Sequence, residues 1–524
     1  DCTYTIGIKK KGGRNATDPT HPGSCFPSSY IGQLIPGTGN PNNGIGVVGD
    51  KRFPNGLVGS KNFAWAPRLG FAWDVFGNGK TALRGDYAIV YNTLLATGQE
   101  EGNLTFNPPV GASTALYYGN LGDINASAIG LTSPPDFGHA SQLNPYMPVV
   151  YDTALDLQHE IGFGTVLDVS YVGTFGRHFT TRTNVNEAPY CSRFLPQNQD
   201  PTNTGTNTNA YATAGDPNSY AACQQFSPQL VGQLIPNLTK YHALPDDFFR
   251  PYAGLSSINM VQFNGNSSYN ALQVWLRHNF SHGIEFGVAY TWSKTMDTCD
   301  GGGGDSGRHS ADCALPTFLP VQQWQYGLAG YDRTHILHIN WLWNVPSLAE
   351  HWNNFATRAV LNGWKYQGLA TFESGAPLFV SLDLPGVDST GGGDGARPVL
   401  LHNPSLNSSK QSTTQWFDTS AFAAPAFGTL GTEGRTAYRG PGIVNFDMAL
   451  DKDFKVTERM TLEFRAEAYN AFNHTNFDGL NNKAEFTYNG TGNSPLVPLT
   501  TNGFGEVTGT RNPRILQLAL RLRF

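Results

Sequence analysis

Asp297, Asp300, Asp305 and Asp312 surround four consecutive glycines, and clustered carboxylates suit a hard cation such as calcium. The spacing is not that of an EF-hand loop, and a flexible surface loop, cross-linked through Cys299 and Cys313, is the plainer reading of 297–312. Gly77-Asn78-Gly79-Lys80-Thr81 has the tail of a phosphate-binding loop, but the full motif needs glycine where Asp74 stands, so a glycine-rich hairpin fits better. His335 and His338 are three apart in an alternating segment, which puts them on opposite faces and rules out a shared metal unless the strand bulges. Glu463, Arg465 and Glu467 form a charge ladder that could contact a ligand inside a polar channel, or could satisfy one another across strands. Trp275, Tyr290, Trp292, Trp341, Trp343 and Tyr469 could stack on sugars, although girdles at a membrane interface use the same residues. No Ser/His/Asp elbow or His-Glu-x-x-His unit occurs, so neither an enzyme nor a resident cofactor is expected.

The elements that carry these residues follow from composition and period. Only 14% of the 524 residues are charged, with 60 glycines and 12% aromatics, against a soluble norm of about 25% charged. Mean hydropathy is nevertheless only −0.32. Strands with one apolar and one polar face, joined by loops rich in Gly, Asn and Thr, produce that combination. No run of about 18 apolar residues exists, which excludes a membrane-spanning helix and leaves the closed barrel as the spanning option. A net charge of −6 without basic runs gives no reason to expect nucleic acid as a partner.

Period-two alternation is clearest at the end of the chain. Leu516, Leu518, Leu520, Leu522 and Phe524 share one face of the last segment, opposite Gln517, Ala519, Arg521 and Arg523. Leu462 and Phe464 oppose Glu463, Arg465 and Glu467 in the same way, so the leucines and Phe464 should meet lipid and the charges the interior. Eleven strands are expected, near 64–75, 79–92, 149–161, 165–177, 268–280, 284–295, 333–345, 362–374, 442–453, 458–473 and 514–524. Short turns containing Gly, Asn or Ser alternate with long connections at 93–147, 178–267, 296–332, 375–440 and 475–513. The short turns belong in the periplasm and the long loops outside the cell, with Pro346–Leu361 as one longer periplasmic connection. The cysteines fall into three close pairs, Cys2 with Cys25, Cys191 with Cys223 and Cys299 with Cys313, all on the external side. Local disulfides in an oxidising compartment are expected from them, and zinc is the weaker reading.

Several blocks resemble TonB-dependent receptors, and within them the Oar-like group: "APRLGFAWDVFGNGKTALRGDYAIVYN" (Ala66–Asn92), "LDVSYVGTFGRHF" (Leu167–Phe179) and "YNALQVWLRHNFSHGIEFGVAYTWSKTMD" (Tyr269–Asp297). So do "YDRTHILHINWLWNVP" (Tyr331–Pro346), "LNGWKYQGLATFESGAPLFV" (Leu361–Val380) and "RGPGIVNFDMALDKDFKVTERMTLEFRAEAYNAFNHTNF" (Arg439–Phe477). The resemblance implies a transmembrane antiparallel barrel of 22 strands in the bacterial outer membrane, an N-terminal plug, and drive from the inner membrane through a TonB box. Its terminal Phe524 resembles the signal read by the barrel-assembly machinery.

On this reading residues 1–63 are an extracellular loop region, 64–524 form the C-terminal half of the barrel, and the plug is absent. An odd strand number requires upstream strands to close the sheet. The partners expected are outer-membrane lipid, the upstream half and plug, the TonB complex and the assembly machinery. The expected role is passage of an unidentified ligand, with a surface adhesin or scaffold using the long loops as the alternative.

Overall fold

Alternating sequences of this kind hydrogen-bond to their chain neighbours wherever a short turn returns the chain, and the computed structural model is built on that rule. The structure describes residues 63–92, 146–194, 256–298, 321–347, 354–384, 396–425, 429–434, 438–457, 459–488 and 502–524, with shorter stretches between them. Eleven strands form the continuous path of a thirteen-stranded sheet, which Phe137–Ser141 and Gly327–Leu328 join from the side: β1 (Arg68–Asp74), β2 (Thr81–Tyr91), β3 (Val149–Gly162), β4 (Thr165–Asn184), β5 (Ile258–Ser281), β6 (Ile284–Asp297), β7 (His335–Asn344), β8 (Trp364–Glu373), β9 (Ile443–Lys455), β10 (Thr461–Tyr469) and β11 (Ile515–Arg523). Each pairs antiparallel with the next in sequence, so the sheet is a pure meander from β1 to β11. Among the described residues no helix is long and apolar enough to cross a membrane.

The turns explain the register. At the β3–β4 hairpin Gly162, Phe163 and Gly164 all take positive φ, the conformation a tight return requires. The β1–β2 turn is closed by Asp74, whose carboxylate accepts the backbone N–H of Gly77 at 3.0 Å and of Gly79 at 2.7 Å. The longer β7–β8 connection contains a short helix, Phe355–Leu361, capped by Asn354 through a 2.8 Å bond from the Thr357 N–H. All five short connections lie at one end of the sheet and all five long ones at the other.

Three expectations are corrected. β4 and β5 run to Asn184 and from Ile258, not to 177 and from 268. A spanning strand needs about 9–11 residues, so these two continue as a ribbon on the long-loop side, where Phe137–Ser141 joins β5 in parallel. Bulges around Gly265 and interspersed Asn and Ser hide the alternation there. β10 ends at Tyr469 rather than 473, because Asn470 and Asn473 adopt positive φ and turn the chain.

The third correction concerns the connections 375–440 and 475–513, which fold together. Ser381–Asp383 pairs in parallel with Lys483–Tyr488, and Pro377–Leu378 pairs with Tyr438–Arg439. Val380, Phe417, Ala421, Phe422, Tyr438, Ala484 and Phe486 form a buried core. Phe417 lies at its centre, with ring centroids 4.1 Å from Tyr438, 5.2 Å from Phe504 and 5.9 Å from Phe422. The chain can turn into this unit because Gly375 has no Cβ, whose place is filled by the Gly440 carbonyl.

Candidate functional site

Cross-strand register assigns every strand residue to one of two faces. One face carries Asp74, Asp86, Asp152, Asp156, Glu160, Asp168, Glu285, Asp297, Glu373, Asp447, Asp451, Asp453, Glu463 and Glu467, the fourteen carboxylates of the eleven strands. Arg68, Arg84, Arg277, Lys365, Lys455, Arg465, Arg521 and Arg523 share it, eight cations in all. The opposite face carries no carboxylate; its residues include Leu69, Phe71, Trp73, Leu155, Leu157, Ile339, Trp341, Trp343, Leu450, Phe464 and the Leu516–Leu522 stripe. Three cations, Arg177, Lys294 and Lys452, stand on that opposite face, so the carboxylates alone are fully segregated; a carboxylate in lipid is costly, which accounts for their partition.

Much of the polar face is internally paired. Arg84 reaches Asp156 at 3.4 Å and Gln158 at 2.8 Å. Lys365 holds Asp453 at 2.8 Å, and Gln367 donates to Asp451 at 2.8 Å. Of the charge ladder on β10, Arg465 contacts Glu467 at 2.8 Å and Asp451 at 3.5 Å, while Glu463 is bonded by Arg523. Arg465 and Glu467 also line a concavity of about 460 Å3 with Glu285, Asn340, Gln367, Asp447 and Tyr469, drawn from β6 to β10.

The aromatics divide between the faces. Tyr290, Trp292, Trp341 and Trp343 lie on the apolar face, as a lipid-facing girdle requires, but Trp275 and Tyr469 lie on the polar one. Arg277 sits over the Trp275 ring at 5.4 Å. His335 and His338 lie on opposite faces, bonded to the Tyr290 hydroxyl at 2.8 Å and the Thr371 hydroxyl at 3.2 Å, and no metal-holding group occurs among the described residues.

A second cavity, about 900 Å3, opens in the unit formed by the two long connections. Leu400, Leu401, His402, Trp416, Tyr438 and Arg439 line it. His402 Nε2 is 3.0 Å from Asp418, and hydrogen bonds from the Ser420 hydroxyl first and His402 second hold the Asp418 carboxyl below its ordinary range. Arg439 reaches Asp332 at 2.6 Å, and that fully buried carboxylate also accepts the Thr295 N–H at 2.6 Å. Arg397 is clamped between the rings of Trp324 at 4.3 Å and Phe379 at 5.1 Å, which ties the unit to the β6–β7 connection. Sequence reasoning singled out none of Asp332, Arg397, His402, Trp416, Asp418 or Arg439. Asp447, Asp451 and Asp453 were readable, since they alternate along β9.

Cys191 is fully buried, and its backbone N–H reaches the Thr390 carbonyl at 2.9 Å, joining the β4–β5 and β8–β9 connections. No pair of cysteines is described. Cys2, Cys25, Cys223, Cys299 and Cys313 lie outside the described residues, as do the aspartates of 300–312 and nearly all of 1–62. Phe524 is exposed beyond the end of β11.

Among solved structures, the chain is similar to the outer membrane transporter YddB from Escherichia coli at 9% identity and a TM-score of 0.37, covering 87% of this chain and 40% of that one. The siderophore receptor PiuA from Acinetobacter baumannii gives 8%, 0.36, 87% and 35%. The ferric enterobactin receptor from Pseudomonas aeruginosa gives 8%, 0.36, 88% and 40%. The chain therefore spans well under half the length of these proteins, and likenesses so distant carry no argument about its ligand. No curated protein matches it. The profile of the outer membrane beta barrel domain matches residues 11–517, nearly the whole chain. The chain belongs to the outer membrane beta barrel domain family, and its place is the bacterial outer membrane.

Proposed function

We propose that this chain is the barrel wall of a TonB-dependent receptor of the Oar-like kind and admits a ligand across the outer membrane, with no catalytic step of its own. The observation that carries the reading is the complete segregation of strand carboxylates to one face, which lines the lumen, while the opposite face meets lipid. The folded outer unit, with its 900 Å3 cavity, is the surface on which a ligand is first held. On this reading Glu463, Arg465 and Glu467 are lumen residues and Phe524 is the assembly signal. Cys2–Cys25, Cys191–Cys223 and Cys299–Cys313 are local disulfides of the external loops, which non-reducing peptide mapping would identify.

Closure follows from direction. Eleven antiparallel strands leave β1 and β11 running the same way, so an odd number of further strands is needed for both edges to pair antiparallel. An eleven-strand upstream half, accompanied by a plug that the TonB complex acts on, meets that requirement. Co-expression of this chain with such an upstream half should give a heat-modifiable barrel, and uptake should stop when the TonB complex is removed. Uptake that persists without TonB, or a chain that binds ligand at the surface and never passes it, would overturn the receptor reading.

A further inference from the structure

We infer that the polar face selects for cationic groups, so that the passenger, or the part of it that threads the wall, carries ammonium or guanidinium and not carboxylate or phosphate. The inference rests on the passage reading above and adds the charge class. Fourteen strand carboxylates stand against eight strand cations on that face, and Arg333 of the β6–β7 connection, on Glu373, adds a ninth. The imbalance is not absorbed locally. Asp86, Asp152, Glu285 and Asp447 make no ion pair among the described residues; Asp152 accepts only the Thr174 hydroxyl, at 2.9 Å, and Asp447 only amide donors.

Two of these four, Glu285 and Asp447, line the 460 Å3 concavity. Its one cation, Arg465, is already committed to Glu467 and Asp451. Trp275 on the same face already seats a guanidinium, that of Arg277, on its ring. Low-dielectric walls around a lumen focus the field of such an excess, raising the local concentration of cations and excluding anions.

The test uses this chain co-assembled with its upstream half in phosphatidylcholine vesicles, with two dye-labelled probes, tetra-arginine and tetra-glutamate, read by fluorescence anisotropy. Tetra-arginine should bind and tetra-glutamate should not, with the difference collapsing in 0.5 M salt as Debye screening shortens to a few ångströms. Glu285→Gln with Asp447→Asn should weaken tetra-arginine about tenfold. Asp383→Asn with Glu485→Gln, in the outer unit but outside the lining of its cavity, should leave it unchanged.

The salt comparison needs no variant, so a substitution that fails to fold cannot rescue the idea. Equal binding of the two probes, or the same loss from the outer-unit pair, would overturn it. Protection of β9 and β11 from protease in the same vesicles reads membrane insertion separately. Inserted protein with no charge preference sinks this inference alone, whereas protein that never inserts sinks the passage reading beneath it.

Discussion

The sheet and the outer unit solve the problem of apolar side chains in opposite ways. In β11, Leu518 is 72% exposed and Leu520 67%, with none of the described residues covering them. In the outer unit, Phe417 is 1% exposed, surrounded by Phe422, Tyr438 and Phe504. One region is folded for a solvent of hydrocarbon and the other for water. An exposed leucine stripe is therefore a defect only by the standards of the second region. The same chain needs both, because its strands must satisfy lipid while the connections above them stand in water and present a defined surface.

The comparison breaks most readily at Phe417. Phe417→Ala should cost the outer unit about 3–5 kcal/mol by leaving a cavity at its centre. Hydrogen exchange should quicken across 396–440 and 479–488 while β1–β11 keep their protection. If the sheet loosens equally, the two regions are not separable. Next in size, Leu518→Arg should cost about 2–4 kcal/mol of folding into bilayers, and Gln517→Arg, one residue away on the polar face, much less. Equal costs in a denaturant titration from vesicles would erase the distinction between faces.

Arg439→Ala removes a partner from the buried Asp332 carboxylate, which keeps only the Thr295 N–H, and should destabilise the junction between sheet and unit by about 1–3 kcal/mol. The smallest effect is that of pH. The folded value of Asp418 lies below the ordinary 3.8, so on acidification the unfolded chain takes up the proton first. Its stabilisation is present above that ordinary value and is lost as pH falls through the lowered one. Asp418→Asn should flatten the acid limb of outer-unit stability, measured by intrinsic fluorescence, and leave the sheet's response unaltered.

All eleven strands were legible in the sequence because a sheet with lipid on one side and water on the other must alternate at every residue, as Leu516 to Arg523 does. Strand ends were less so. Asn470 stops β10 through backbone conformation, and bulges around Gly265 scramble the outer half of β5. The outer unit was read as loops because its core residues, Val380, Phe417, Phe422, Tyr438 and Phe486, are scattered over two connections separated by β9 and β10 and share no period. The same holds for Asp332 and Arg439, 107 residues apart yet bonded at 2.6 Å. The ladder Glu463, Arg465 and Glu467 was visible by alternation, but not its partners on β9 and β11, which depend on register.

The central claim, that the face bearing Trp341 and Trp343 meets lipid and the face bearing Trp275 does not, is tested most directly by quenching tryptophan fluorescence with brominated phosphatidylcholine. In vesicles containing the wild-type chain, a large fraction of the emission should be quenched. Trp73→Phe, Trp292→Phe, Trp341→Phe, Trp343→Phe and Trp364→Phe together should remove most of that quenchable component, and Trp275→Phe should leave it intact. Loss of the quenchable component on replacing Trp275, with little change on replacing the other five, would contradict the account.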